Sequence, residues 1–423
     1  MPNQLPTPKP WWKVISRWLT PRRLSYACIT GIVLWVAWLA SIVFGSGNFD
    51  LANQVVGTDF IQFYAAGMTL DQHAEQYLYD FAYQSQLQQE IAGPGLSNFH
   101  AFITPPFLAW IFVPWAKLPY VWSFVLWSGF NLLALWASLR VLGAHNPRNS
   151  FLWVLSWFPV FASISFGQNS LLSLFLLSLT YIFWQRQHNF SAGLIASLVL
   201  FKPQLLIGIT LLWLIRWRRD WKALTGLLVG VGTLTTLTFL FLPSAASSYL
   251  KLALEFIPGL IYGDQFPLYH LHALRGFWTL LFPGNAWLAE GASLLLSSLG
   301  LVFFFRFIQH NHSRPALQFT AAIALTILIT PHAMIYDWSL LLIPAILLWQ
   351  SLPKLEQYWK VIFAVVWLVM LLSGPLTSMQ LKILPIALQI SVPVYCYLLV
   401  DILRTLNHSH PGHLLSPEQV EGS

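Results

Sequence analysis

The chain has 423 residues, a formal net charge of +7 and only 9% charged residues against 57% hydrophobic ones. Soluble domains carry roughly 25% charged residues. This composition therefore excludes an ordinary soluble domain, a disordered chain and a nucleic-acid binder, each of which needs more charge than this chain has. Aromatic residues at 16%, with 22 Trp, suit a chain that meets many membrane–water interfaces. Cys28 and Cys396 lie inside apolar runs and read as small buried side chains rather than a disulfide. The expected class is an all-α polytopic membrane protein.

A membrane helix needs about 20 mostly apolar residues, fewer where it is buried among other helices. In chain order, a basic segment (Lys9, Lys13, Arg17, Arg22, Arg23) precedes the first apolar run, 24–44, and a long polar loop, 45–105, follows it. The run 106–118 is bracketed by prolines and too short to span, so it is expected to re-enter or lie at the interface. Next come 120–139, four shorter runs (151–166, 170–184, 191–201 and 204–217) and 224–242. A second long loop, 243–285, precedes 286–307, 317–330, 338–352, 361–373 and 383–403. This gives twelve spans in one domain, 1–404, with a disordered tail, 405–423, that carries His408, His410 and His413. If 106–118 does not cross, all Lys and Arg except Lys117, Lys202, Lys251, Arg275 and Lys382 fall on the N-terminal side. The positive-inside rule makes that side cytoplasmic. Both termini are then inside, and both long loops face outward, where function is expected.

Polar interruptions of apolar runs cost several kcal/mol unless paired or hydrated. Four of them fall on the outer side: Asp59 with its neighbours, Gly167-Gln168-Asn169, Lys202-Pro203-Gln204, and the stretch from Pro331 and His332 to Asp337. The second outer loop adds His270, His272 and Arg275. Each has a structural reading. Asp59 suits a helix N-cap, Gln168 and Asn169 suit turn caps, Lys202 suits snorkelling, and His332 with Asp337 suits a hydrogen-bonded pair. Together, on one leaflet, they describe a polar cavity at the membrane surface. Metal-ligand spacing is absent apart from the weak His270-x-His272, and no Gly-rich phosphate loop is present. With short cytosolic loops, an activated substrate must arrive in the bilayer as a lipid-linked donor.

The ordered set of motifs resembles glycosyltransferase family 87, the polyprenol-phosphate-mannose-dependent mannosyltransferases of the GT-C architecture. It comprises Thr58-Asp59-Phe60-x-x-Phe63-Tyr64-x-Ala66-Gly67, Tyr79-Asp80, Thr104-Pro105-Pro106-Phe107 and Val113-Pro114-x-x-x-Leu118-Pro119. Gly167-Gln168-Asn169, Ala192-Gly193, Phe201-Lys202-Pro203-Gln204, Trp217-Arg218-Arg219-Asp220-Trp221, Pro331-His332 and Tyr336-Asp337 complete it. Thr104 stands where the family more often has Tyr. The resemblance implies an inverting, metal-independent transfer without cofactor, from a polyprenyl-phosphate-linked sugar to a lipid or glycan acceptor. This would take place on the outer face of a bacterial plasma membrane. It makes Asp59 the general base. Lys202, Arg275 and His332 are the candidates for the donor phosphate, and Tyr64, Gln168, Asn169, Gln204, His270, His272 and Asp337 for sugar or acceptor. The competing reading is a transporter or lipid flippase, which also builds sites from broken helices. The absence of an internal repeat, and polar turns gathered on one side rather than at the midplane, count against it.

Overall fold

The computed structural model describes residues 11–93, 95–144, 146–263 and 266–408. Among these residues the secondary structure is helical, with three isolated β-bridges and no strand. The helices begin with α1 (Trp11–Ser16), α2 (Pro21–Val43), α3 (Phe60–Asp71), α4 (Phe81–Ala92), α5 (Phe107–Ala116) and α6 (Tyr120–Val141). There follow α7 (Pro147–Leu155), α8 (Phe158–Ser165), α9 (Ser170–Gln185), α10 (Asn189–Ser197), α11 (Ile207–Ile215), α12 (Trp217–Phe241) and α13 (Pro243–Lys251). The last are α14 (Leu274–Leu281), α15 (Ala286–His310), α16 (Pro315–Ile329), α17 (Leu342–Ser351), α18 (Glu356–Leu381) and α19 (Ser391–His408).

Five segments are long and apolar enough to cross a membrane: α2, α6, α12, α15, and α18 with the turn before it. Only 6% of the apolar window of α2 and 17% of that of α15 is buried. Their Leu, Val and Phe side chains face outward, which in water would be untenable and in lipid is favourable. This is the exterior of a membrane protein. Inside it pack the shorter helices, closely where side chains are small. Gly193 of α10 lies against the Ala223 carbonyl of α12, and Gly226 lies against the Phe190 carbonyl, so a methyl group at either glycine would collide with backbone.

Several expected boundaries move. The run 151–166 breaks at Ser156-Trp157 into α7 and α8, because Pro159 sits in the first turn of α8. The run 204–217 ends at Arg216, and α12 begins at Trp217, earlier than the expected 224. The stretch 383–390 is not helical, so the run 383–403 becomes a helix only from Ser391. That helix continues to His408, so the first four residues of the expected tail are helical. Lys9, Asp264, His410 and His413 lie outside the described residues. The run 106–118 contains a ten-residue helix, α5, about 15 Å long and too short to span. It packs on α3 where Gly67 meets the Phe112 backbone.

Three features gather the polar segments at one end. The amide of Asp59 donates to the Phe166 carbonyl at 3.0 Å, joining the start of α3 to the α8–α9 turn. Leu271 and Met334 form a bridge, and His272 N donates to Ala333 O at 2.8 Å, joining the loop before α14 to the loop after α16. Gln84 and Gln88, four residues apart on α4 and both buried, grip residues 100–102. Gln88 Nε2 donates to His100 O at 2.6 Å, and Gln84 Oε1 accepts from Phe102 N at 2.8 Å.

Candidate functional site

Asp59 occupies the N-cap position of α3, yet its side chain caps nothing. Its carboxylate turns instead to two partners. Gln168 Nε2 donates to Oδ2 at 2.7 Å, and His100 Nδ1 lies 3.3 Å from Oδ1. Gln168 reaches it because Gly167 takes φ +68° and packs on Phe60, where a side chain would clash. Trp127 Nε1 donates to the Gly167 carbonyl at 2.9 Å and pins the turn. The Asp59 side chain remains 22% exposed. It is oriented, but open to an incoming group.

Lys202 does not snorkel. Its ammonium is buried, 2.7 Å from Asp337 Oδ1 and 2.9 Å from Ser170 Oγ, and lies over the Tyr336 ring at 4.7 Å. Asp337 Oδ1 also accepts from Ser170 Oγ at 2.7 Å, and Oδ2 accepts from Met334 N at 3.2 Å. Both oxygens of Asp337 are thus engaged within the fold, so the structure makes it the counter-ion of Lys202 rather than a free sugar ligand. The expected pairing of Asp337 with His332 does not form. Tyr336 lies within electrostatic reach of both Asp59 and Asp337, and Lys202 lies over its ring.

The histidines supply the remaining polar atoms. His270 lies against Tyr269 (4.3 Å between rings) and Phe166 (5.6 Å), within the field of Asp59. Burial holds its pKa down to about 4. His332 faces Phe266 and is also held to about 4, chiefly by burial and then by the Arg275 charge. Both are neutral at pH 7. His270 Nδ1, His332 Nε2 and both amide atoms of Asn169 are buried without a hydrogen-bond partner among the described residues. Buried polar atoms in a native fold are usually satisfied. The unsatisfied atoms of His270 and Asn169, close to Asp59 and Gln168, are free to bond a polar ligand. Arg275 pairs with Glu290 at 2.6 Å, donates to Pro258 O at 2.9 Å, and lies over Tyr262 at 5.7 Å. Among the described residues no three His, Cys, Asp or Glu side chains converge as a metal site.

The structure therefore brings together Asp59, Gln168 and His270, with Lys202 and Asp337 across Tyr336, and sets His332 beside Arg275. It moves three expected residues out of that group. The Tyr64 hydroxyl donates to Leu118 O at 2.8 Å and its ring packs on Tyr120, because apolar neighbours on α3 and α6 enclose it. His272 is fully buried, with Nδ1 2.7 Å from Ser391 Oγ, and serves the loop–loop junction. Gln204 is half-buried on the 3-10 turn after Lys202, with no side-chain hydrogen bond among the described residues. Sequence reasoning missed His100 and Ser170 and gave Tyr336 no role. The one signal for His100 was the pair Gln84 and Gln88, one turn apart on the same face of α4.

The model of glycosyltransferase family 87 matches residues 102–331, more than half of the chain, and the chain belongs to this family. No curated protein and no solved structure matches it. Gln168, Asn169, Lys202, His270 and Arg275 fall within the matched segment; Asp59, His100, His332 and Asp337 fall outside it.

Proposed function

We propose that this membrane glycosyltransferase moves a sugar, mannose by family analogy, from a polyprenyl-phosphate donor to a lipid or glycan hydroxyl, with inversion. In this reading the site faces the extracytoplasmic side of a GT-C-like, twelve-span chain with both termini cytoplasmic. Asp59 is the general base. Inversion requires one carboxylate to take the acceptor proton as the hydroxyl attacks the anomeric carbon. Asp337 is paired with Lys202 and Glu290 with Arg275, whereas Asp59 is partly open and paired with no Lys or Arg among the described residues, and that observation carries the proposal.

Gln168 fixes one oxygen of Asp59, and His100 steadies the other. The departing lipid phosphate keeps its negative charge and needs charged or hydrogen-bonding donors rather than protonation. Arg275 has guanidinium donors beyond those given to Glu290 and Pro258, and His332 offers an unpaired ring nitrogen beside it. An incoming phosphate would favour the charged imidazolium and strengthen that contact. Lys202, already neutralised by Asp337, supports the floor of the site through Tyr336. Asn169 and His270 are the ligands for sugar hydroxyls.

Purified chain incubated with labelled polyprenyl-phosphate-mannose and a membrane glycolipid extract tests the reading. Product should form with an inverted anomeric centre, and Asp59→Asn should lower turnover by about 10²–10⁴. Wild-type turnover by that variant removes Asp59 from the base role. Uptake or lipid scrambling in liposomes, without any glycosyl product, would establish the transport reading instead.

A further inference from the structure

A cavity of about 1710 Å³ opens among α2, α7 and α15–α19. It exceeds the ~300–1,000 Å³ of sites for drug-sized ligands. Its walls are almost wholly apolar, and its lining contains no Asp or Glu. Four cations line it, and all lie within five residues of a helix end: Arg23 at the start of α2, Lys360 at the start of α18, Arg306 near the end of α15 and Arg404 near the end of α19. Tyr358 of α18 donates to Asp401 of α19 at 2.7 Å, which sets those two helix ends side by side. The cations therefore form a basic rim around an apolar interior. The opposite end of the cavity, at Leu274 and Leu341, lies beneath the loops of the candidate site.

Two of these charges are already engaged. Lys360 pairs with Glu356, and Arg23 donates to Trp18 O and covers the Trp18 ring. Arg306 and Arg404 are exposed and their guanidinium groups have no partner among the described residues. An apolar gap of this size among membrane helices is not filled by water, and hydrocarbon chains suit its walls. An occupant with only a hydrocarbon chain here would give the two unpaired guanidinium groups nothing to bind. An anionic headgroup complements both, as basic pockets between membrane helices do for acidic lipids.

We infer that this cavity binds one anionic diacyl phospholipid, with its phosphate at Arg306 and Arg404 and its acyl chains among α15–α19. The site is separate from Asp59 and from the proposed transfer reaction, so an Asp59→Asn chain should bind the lipid as wild type does.

Native mass spectrometry of the purified full chain, titrated with phosphatidylglycerol and phosphatidylcholine of identical acyl chains, tests the assignment. Wild type should retain phosphatidylglycerol in preference. The Arg306→Gln/Arg404→Gln variant should lose roughly 25-fold of that preference, at about 5-fold per arginine near a lipid phosphate. Ala345→Trp, which adds bulk to the cavity wall on α17 and leaves the four rim cations in place, should weaken both lipids. Equal retention of the two lipids by wild type overturns the proposal, and so does a preference that survives loss of both arginines. Binding of both lipids unaffected by Ala345→Trp also overturns it. Displacement of phosphatidylglycerol by polyprenyl phosphate, insensitive to the arginines but abolished by Ala345→Trp, would assign the cavity to an isoprenoid tail instead.

Discussion

Asp59 and Asp337 both lie within electrostatic reach of Tyr336 and have opposite fates. Asp337 is almost sealed, with a side chain 2% exposed, and is neutralised by Lys202, Ser170 and a backbone amide. Asp59 is held by an amide and an imidazole and keeps 22% of its side chain open. A carboxylate sealed against a buried lysine, with both oxygens engaged, is closed to an incoming hydroxyl. One steadied by an amide and an imidazole, and partly exposed, stays oriented and can still receive a proton. The polar groups of this crevice thus divide into a fixed floor and a working edge.

Lys202→Met should break the contrast from the floor. It leaves Asp337 as an uncompensated buried charge and should cost about 3–5 kcal/mol, seen as a lower melting temperature in detergent. Adding Asp337→Leu should recover much of that loss, because removing both charges leaves no unpaired ion. A double variant no better than the single would mean that the pair has no such structural role. Asp59→Asn, by contrast, should shift melting little while lowering turnover by about 10²–10⁴.

Gln168→Leu tests the working edge. It removes one charge-assisted hydrogen bond, worth about 1.5–3 kcal/mol, and should lower kcat/KM roughly 10–100-fold with folding intact. If turnover is unchanged, Gln168 does not orient the base.

The histidines separate the two regions by pH. Burial holds His270 and His332 at about 4, below the ordinary value of 6.5. Between these values the unfolded chain binds more protons than the folded one, so stability should rise with pH. The chain should therefore lose stability as pH falls from about 6.5 to about 4, by on the order of 6 kcal/mol for the two groups, and show no such slope above 6.5. A His270→Gln/His332→Gln variant should reduce the slope across that window, leaving the part that buried His272 supplies. An unchanged slope would mean that other groups produce it.

Tyr64→Phe should have the smallest effect. Losing the bond to Leu118 O should cost about 1 kcal/mol or less of stability and leave kcat unchanged. A tenfold loss of turnover would return Tyr64 to the site.

Much of this molecule is legible along the chain. Membrane character follows from composition, and the polar turns stand out because apolar runs make them conspicuous. Residues 58–60, 167–169, 202–204, 270–275 and 331–337 are each visible as interruptions before any coordinates are known. Their partners are harder to read. Lys202 meets Asp337 across 135 positions and Ser170 across 32. Whether the lysine served a phosphate or a neighbouring aspartate depended on which helix ends packed together. His100 gave no direct signal, since its position depends on Gln88 gripping its backbone from another helix.

The sequence alone determined that the chain lives in a bilayer, and which short polar segments interrupt it, because transfer of a side chain into hydrocarbon is a property of that side chain. It also carried enough ordered motif to place the chain in its family. Only the tertiary structure decided which carboxylate is spent and which is open, and which tyrosine is core. It also decided where an apolar cavity meets unpaired arginines. Those outcomes depend on long-range pairing and burial, and a charge takes its role from what the fold sets beside it.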